Sequence, residues 1–164
     1  AGLAINAKNG ARFDFSQIYL MFPARFVVRL DDVAGFDASA LGQRTIALRK
    51  GSDHALFATR YLKGVKLKEF KTEIEALDAV ANGTAYAYFG DGLRASFWLN
   101  DNPGCCAFAG QAYFRPDLFG EGMAAAFPAG RNNLRRAFNS TLVRLKRNGT
   151  LDELYLRWFP VSFY

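Results

Sequence analysis

Residues 71–91 constrain the fold more than any other part of this chain. Ile74, Leu77, Val80 and Ala81 recur at the spacing of one helix face, and Asn82-Gly83 follows where that stripe ends. Glycine enters the left-handed conformation of a helix C-cap at no steric cost, so the pair predicts a stop. The apolar run 85–89 then predicts a strand, closed by Gly90-Asp91. A helix, a tight stop and a short buried strand in succession are the repeating part of an α/β fold. A carboxylate at the carboxyl end of such a strand lies where open α/β sheets bind ligands.

The flanking segments extend this pattern. Residues 44–50 predict a strand, broken by Gly51-Ser52-Asp53 and followed by a helix with Leu56, Phe57 and Tyr61 on its apolar stripe. Ser52 or Asp53 is positioned to accept the unbonded N–H groups of that helix. Gly64 ends it, 65–70 alternates as a strand does, a helix is expected over about 92–100, Asn102-Pro103-Gly104 makes a turn, and 105–109 is a further short strand. Strands alternating with helices predict βαβ units and a parallel sheet. Outside this region, Phe26-Val27-Val28 and 123–127 are apolar extended segments. A long helix carries Leu134, Phe138, Leu142 and Leu145 on one face and stops at Asn148-Gly149. A second helix carries Leu151, Leu154, Tyr155 and Trp158, and Thr150 with Glu153 has the spacing of a capping box. The aromatic tail 158–164 is expected to dock on another surface.

Half of the 164 residues are hydrophobic, enough for a real core in one domain or in parts of two small ones. No apolar run approaches the about 20 residues of a membrane span. The chain starts at Ala1 without an initiator Met, as a processed or trimmed product does. Net charge is +6, with arginines and lysines concentrated in 131–147. No nucleic-acid motif accompanies them, so they read as a solvated helix face and no nucleic-acid partner is expected. Cys105 and Cys106 are adjacent; neighbouring cysteines rarely meet ordinary disulfide geometry, so buried thiols are expected, with a vicinal disulfide in an oxidising compartment as the alternative. Two cysteines and one histidine are too few for a metal cluster. Phosphate-binding, dinucleotide, nucleophile-elbow and zinc-protease motifs are all lacking, so no metal, cofactor or catalytic set is expected. The Asn-x-Ser/Thr triplets at Asn82, Asn139 and Asn148 read as structural.

Two strand ends converge on one edge of the predicted sheet. One carries Arg49, Gly51, Ser52, Asp53 and His54; the other carries Gly90 and Asp91. Gly51 lets the backbone turn closely, and the helix start beside it presents N–H donors. Asp91 supplies an acceptor suited to an ammonium group. Together they suit a small polar solute, with Arg49 near enough to the turn to face it.

These pieces, in order, resemble the periplasmic solute-binding proteins of polar amino-acid ABC transporters. The resemblance is carried by Arg12-Phe13-Asp14-Phe15-Ser16, by Leu41-Gly42-Gln43-Arg44-Thr45-Ile46-Ala47-Leu48 leading to Gly51-Ser52, by Glu75-Ala76-Leu77 through Asn82-Gly83 to Asp91, by Gly122-Met123-Ala124-Ala125-Ala126, and by Asn148-Gly149-Thr150-Leu151-Asp152-Glu153-Leu154-Tyr155 with Trp158-Phe159. It implies an α/β, periplasmic-binding-protein-like fold with a parallel-sheet βαβ core. The second lobe would be complete and the first partial: 1–24 a remnant of the first, 25–127 the second with hinge strands at Phe26-Val27-Val28 and Met123-Ala124-Ala125, and 128–164 helices returning to the first. It further implies a periplasmic, non-enzymatic protein that delivers a small polar solute to an ABC permease. A second chain or self-association would cover the exposed first-lobe face. Asn9 aligns with the family's carboxylate-clamping Arg, and Asp53 with a Thr. Neither Asn9 nor the neighbouring Lys8 replaces a bidentate guanidinium, and a carboxylate at Asp53 repels another, which widens the expected solute to amino acids or cationic, amine-like or neutral polar molecules. The alternatives are a sensor or accessory protein that docks a partner without transport, and a periplasmic dehydratase on the same scaffold.

Overall fold

Short, β-branched and aromatic runs bounded by Gly, Asn and Asp give this chain strands that reach burial only by pairing with one another. The computed structural model describes residues 12–159 and 161–163. Its elements are β1 (Phe13–Phe15), β2 (Ala24–Arg29), α1 (Leu30–Val33), β3 (Thr45–Arg49), α2 (Asp53–Tyr61), β4 (Lys66–Phe70), α3 (Glu73–Ala81), β5 (Ala87–Asp91), α4 (Gly92–Asp101), β6 (Cys106–Tyr113), α5 (Pro116–Phe119), β7 (Ala126–Pro128), α6 (Asn132–Arg147) and α7 (Thr150–Trp158). They form two compact units. Among the described residues, one holds 12–22 with Arg115–Phe159; the other holds Pro23–Phe114 with 161–163.

The larger unit is a five-stranded sheet of order β4-β3-β5-β2-β6. β3 runs parallel to both β4 and β5, as alternating strands and helices predict. β2 is antiparallel to β5 and to β6, so the sheet is mostly parallel with one reversed strand. That strand contains Phe26-Val27-Val28, expected above as a hinge. All three residues are fully buried and hydrogen-bonded on both edges. An apolar run of this kind is stable at a sheet centre, where both faces are covered.

Two apolar layers flank the sheet. On one face Val27, Ala47 and Tyr88 pack against Ala76, Leu77, Val80, Ala95, Trp98 and Leu99 of α3 and α4. On the other, Phe26, Phe57, Phe89 and Tyr113 form an aromatic cluster with ring centroids 4.6–6.0 Å apart. Phe163 of the C-terminal tail is fully buried in this unit. Cys105 and Cys106 are joined by a disulfide, which corrects the expected free thiols.

In the smaller unit β1 pairs antiparallel with β7, and α6 packs with α7. Met123 and Ala125, expected above as part of the second hinge strand, bond to Leu20 and Ser16 of this unit. Asn139 accepts a hydrogen bond from the Gln17 backbone, a structural use of that triplet. The compact units therefore divide at Phe22/Pro23 and Phe114/Arg115, where the sequence reading placed boundaries after 24 and after 127.

Candidate functional site

β3 and β5 are parallel neighbours, so their last residues, Arg49 and Asp91, stand at the same edge of the sheet. The chain leaves β3 through Gly51, whose φ of 66° only glycine adopts readily. The Ser52 hydroxyl then donates to the Arg49 carbonyl at 2.7 Å and accepts the Ala55 N–H at 3.1 Å. Ser52 is buried and is the N-cap of α2; Asp53 is exposed and opens the helix without capping it. Asp91 caps α4 in the same manner. Its Oδ1 accepts the N–H groups of Leu93 at 2.9 Å and Arg94 at 3.3 Å. The structure thus brings Arg49, Gly51, Ser52, Asp53 and Asp91 to one edge. Asn9 lies outside the described residues.

Charged groups crowd this edge beyond those the sequence reading named. Arg94 Nε lies 3.3 Å from Glu73 Oε2 and 3.8 Å from Asp91 Oδ2. Glu73, in the first turn of α3, has a mostly buried side chain, whereas that of Arg94 is 68% exposed. Burial, reinforced by the Asp91 charge, raises the Glu73 carboxyl above its ordinary range; Arg94 and Arg49 oppose that shift. His54 packs edge-on against Phe89 on the other side, and burial lowers its pKa, against the pull of Asp91 and Asp53. The Tyr88 hydroxyl is buried and hydrogen-bonds to no described residue, and burial raises its pKa well above ordinary, with Glu73 and Asp91 adding to the effect. Arg25, opposite Gly90 on β2, is buried, donates to the Gly110 carbonyl at 3.1 Å and stacks over Phe108.

The edge therefore offers two carboxylates, one from α3 and one from the end of β5, beside a mostly exposed guanidinium, with helix N-termini on either side. This chemistry suits charge pairing and hydrogen bonding with a small polar molecule. No group of three or more His, Cys, Asp or Glu side chains among the described residues is arranged to hold a metal ion. Glu73 and Arg94 escaped the sequence reading because Ile74 looked like the inward residue of the helix start. The usable signal was Thr72 with Glu75, a capping box that fixes where α3 begins and so places Glu73 in its first turn.

The sheet, its strand order and this carboxyl-edge site define a lobe of the solute-binding class. A family model for bacterial extracellular solute-binding proteins, family 3, matches residues 1–161, and the chain belongs to that family. It is 25% identical over 160 residues to the ABC transporter arginine-binding protein 1 of Escherichia coli (strain K12), covering 98% of this chain but 65% of that protein. The chain thus spans just under two thirds of the length of the relatives it matches. Two solved structures share the fold. The second substrate binding domain of a candidate amino acid ABC transporter from Streptococcus pneumoniae superposes with a TM-score of 0.82 at 21% identity, covering 97% of this chain and 70% of that one. An ancestral cyclohexadienyl dehydratase superposes with a TM-score of 0.74 at 22% identity, covering 98% and 66%. Among the described residues, no helix is long and apolar enough to cross a membrane.

Proposed function

We propose that this chain captures a small polar solute carrying an amine or guanidinium, outside the cytoplasm, for uptake through an ABC permease. One observation carries the reading: Asp91 is held by two backbone N–H groups at the carboxyl edge of β5, next to the glycine turn after β3. Both bonds fall on Oδ1, while Oδ2 faces the Arg94 guanidinium, with Nε at 3.8 Å. Gly51, Ser52 and Asp53 supply the polar contacts of the neighbouring turn, with Arg49 beside them. An acidic Asp53 where the family carries a Thr favours a cationic solute over an anionic one. Similarity to an arginine-binding protein supports the same class. A dehydratase is the weaker reading, since the likeness to the ancestral enzyme is one of fold.

Calorimetry with L-arginine, L-lysine and neutral amino acids tests this. Asp91→Asn keeps an N-cap oxygen, because Asn and Asp cap comparably, but removes the charge. The expected outcome is binding of a cationic amino acid by the wild type and its loss in Asp91→Asn with the fold retained. Equal binding by both removes Asp91 from the site.

A second reading, compatible with the first, is that the smaller unit docks another polypeptide, either a second chain or a second copy. Its support is the exposure of Leu134, Leu156 and Trp158. A sensor or accessory role without transport would use the same surface.

A further inference from the structure

One guanidinium at the sheet edge serves two carboxylates, Glu73 in the first turn of α3 and Asp91 at the end of β5. Arg94 Nε is 3.3 Å from Glu73 Oε2 and 3.8 Å from Asp91 Oδ2, so it stands nearer the buried partner. The three side chains differ in mobility. Asp91 is pinned through Oδ1 to two backbone N–H groups, and Glu73 is held in the first turn of α3. Arg94 is mostly exposed, and its long stem lets the guanidinium reach either acceptor. A cation arriving at Asp91 competes with Arg94 for Oδ2. It can win cheaply only if Arg94 has another acceptor within reach, because like charges at this separation repel strongly in a partly desolvated site.

We propose that Glu73 is a positioning residue for Asp91: it holds the Arg94 guanidinium while Asp91 takes the cationic group of the solute. The inference rests on the binding role proposed for Asp91. Glu73 touches no solute; it acts by setting how much of Arg94 remains on Asp91. Arg94 in turn guards the empty site, neutralising a carboxylate that would otherwise stand alone. The exchange favours cationic solutes, since a neutral molecule cannot displace a guanidinium from Oδ2. The charged and titratable groups facing Glu73 are Arg94 from α4, Asp91 and Tyr88 from β5, and Arg49 from β3.

Two measurements on the full chain test this. With L-arginine as the probe, Glu73→Gln should weaken affinity about two- to fivefold, the range of a solvent-facing ion pair. The same change in an Arg94→Gln background should cost clearly less. Equal losses in both backgrounds would mean that Glu73 acts independently of Arg94, and would overturn the proposal. The second measurement needs no solute: titration of the Glu73 carboxyl by NMR. Asp91→Asn should lower its midpoint more when Arg94 is present than in Arg94→Gln, because the guanidinium then moves wholly to Glu73. An equal drop overturns the exchange. Failure of the wild type to bind L-arginine, or indifference of that binding to Asp91→Asn, counts against the binding role of Asp91; the carboxyl titration decides the Glu73–Arg94 exchange in either case.

Discussion

Tyr88 and Gly90 lie two residues apart on β5, so both face the α3 and α4 side of the sheet. A Cβ built on Gly90 collides with the Tyr88 phenol, its hydroxyl first. That hydroxyl is buried and hydrogen-bonds to no described residue. Two consequences follow at this scale. Gly90→Ala should destabilise the fold by about 1–3 kcal/mol through overpacking. Tyr88→Phe should be neutral or stabilising by about 1 kcal/mol, since it removes a buried polar atom without a partner. In the Tyr88→Phe background the cost of Gly90→Ala should shrink, and urea unfolding of the four variants reads this directly. Strictly additive costs would show that the hydroxyl is not what Gly90 accommodates. Asp91 and Ser52 were legible as candidates at the sheet edge because each stands between a strand and the helix that follows it, a position that sequence spacing locates. Glu73 was not legible: an acidic residue beside Ile74 looks exposed, yet Glu73 is buried and Ile74 is 62% exposed.

At the scale of elements, the Thr-x-x-Glu pattern occurs at the starts of two helices and caps only one of them. At α3 both halves of the box form: Glu75 N–H donates to Thr72 Oγ1 at 3.1 Å, and Glu75 Oε2 accepts the Thr72 N–H at 3.2 Å. At α7 the N-cap is Gly149 in the left-handed conformation, Thr150 is already helical, and Glu153 pairs with Arg157 at 3.0 Å. Thr72→Ala should therefore cost about 1 kcal/mol, while Thr150→Ala should stay within about 0.5 kcal/mol. Thermal or urea denaturation separates the two, and a reversed order would contradict this account of the helix starts. The two patterns are indistinguishable in sequence, because which residue becomes the N-cap depends on the backbone path entering the helix. The stripe on α2 was similarly misjudged: Ala55, Phe57 and Ala58 are buried, while Leu56 and Tyr61 are exposed.

At the scale of the whole molecule the two units differ in how much apolar surface they bury. The larger unit has a layered core on both faces of its sheet. In the smaller one, only Ser16, Ala124 and Phe127 are buried among the described residues, and α6 and α7 have no buried side chain. Leu134, Leu156 and Trp158 are 58%, 66% and 69% exposed. Surface of this kind costs free energy in water and favours association. Light scattering should accordingly give a mass above the 18.2 kDa of one chain, falling toward that value in a Leu134→Glu, Leu156→Glu, Trp158→Glu variant. A monodisperse wild-type monomer would count against the docking role of this surface.

The sequence by itself determined the alternation of strands and helices, the parallel core, the two strand ends at one edge and the carboxylate that terminates β5. These are local properties, set by apolar periodicity and by glycine and cap residues within a few positions of one another. Tertiary structure alone decided that Phe26-Val27-Val28 runs reversed through the middle of the sheet, that Cys105 and Cys106 are bonded, and that Glu73 and Arg94 meet at Asp91. The strand pairing and the meeting of Glu73 with Asp91 and Arg94 depend on which distant segments become neighbours, and pairwise contact across a long chain separation leaves no periodic trace in sequence; the bond between the adjacent cysteines depends on local backbone geometry, which their spacing does not reveal.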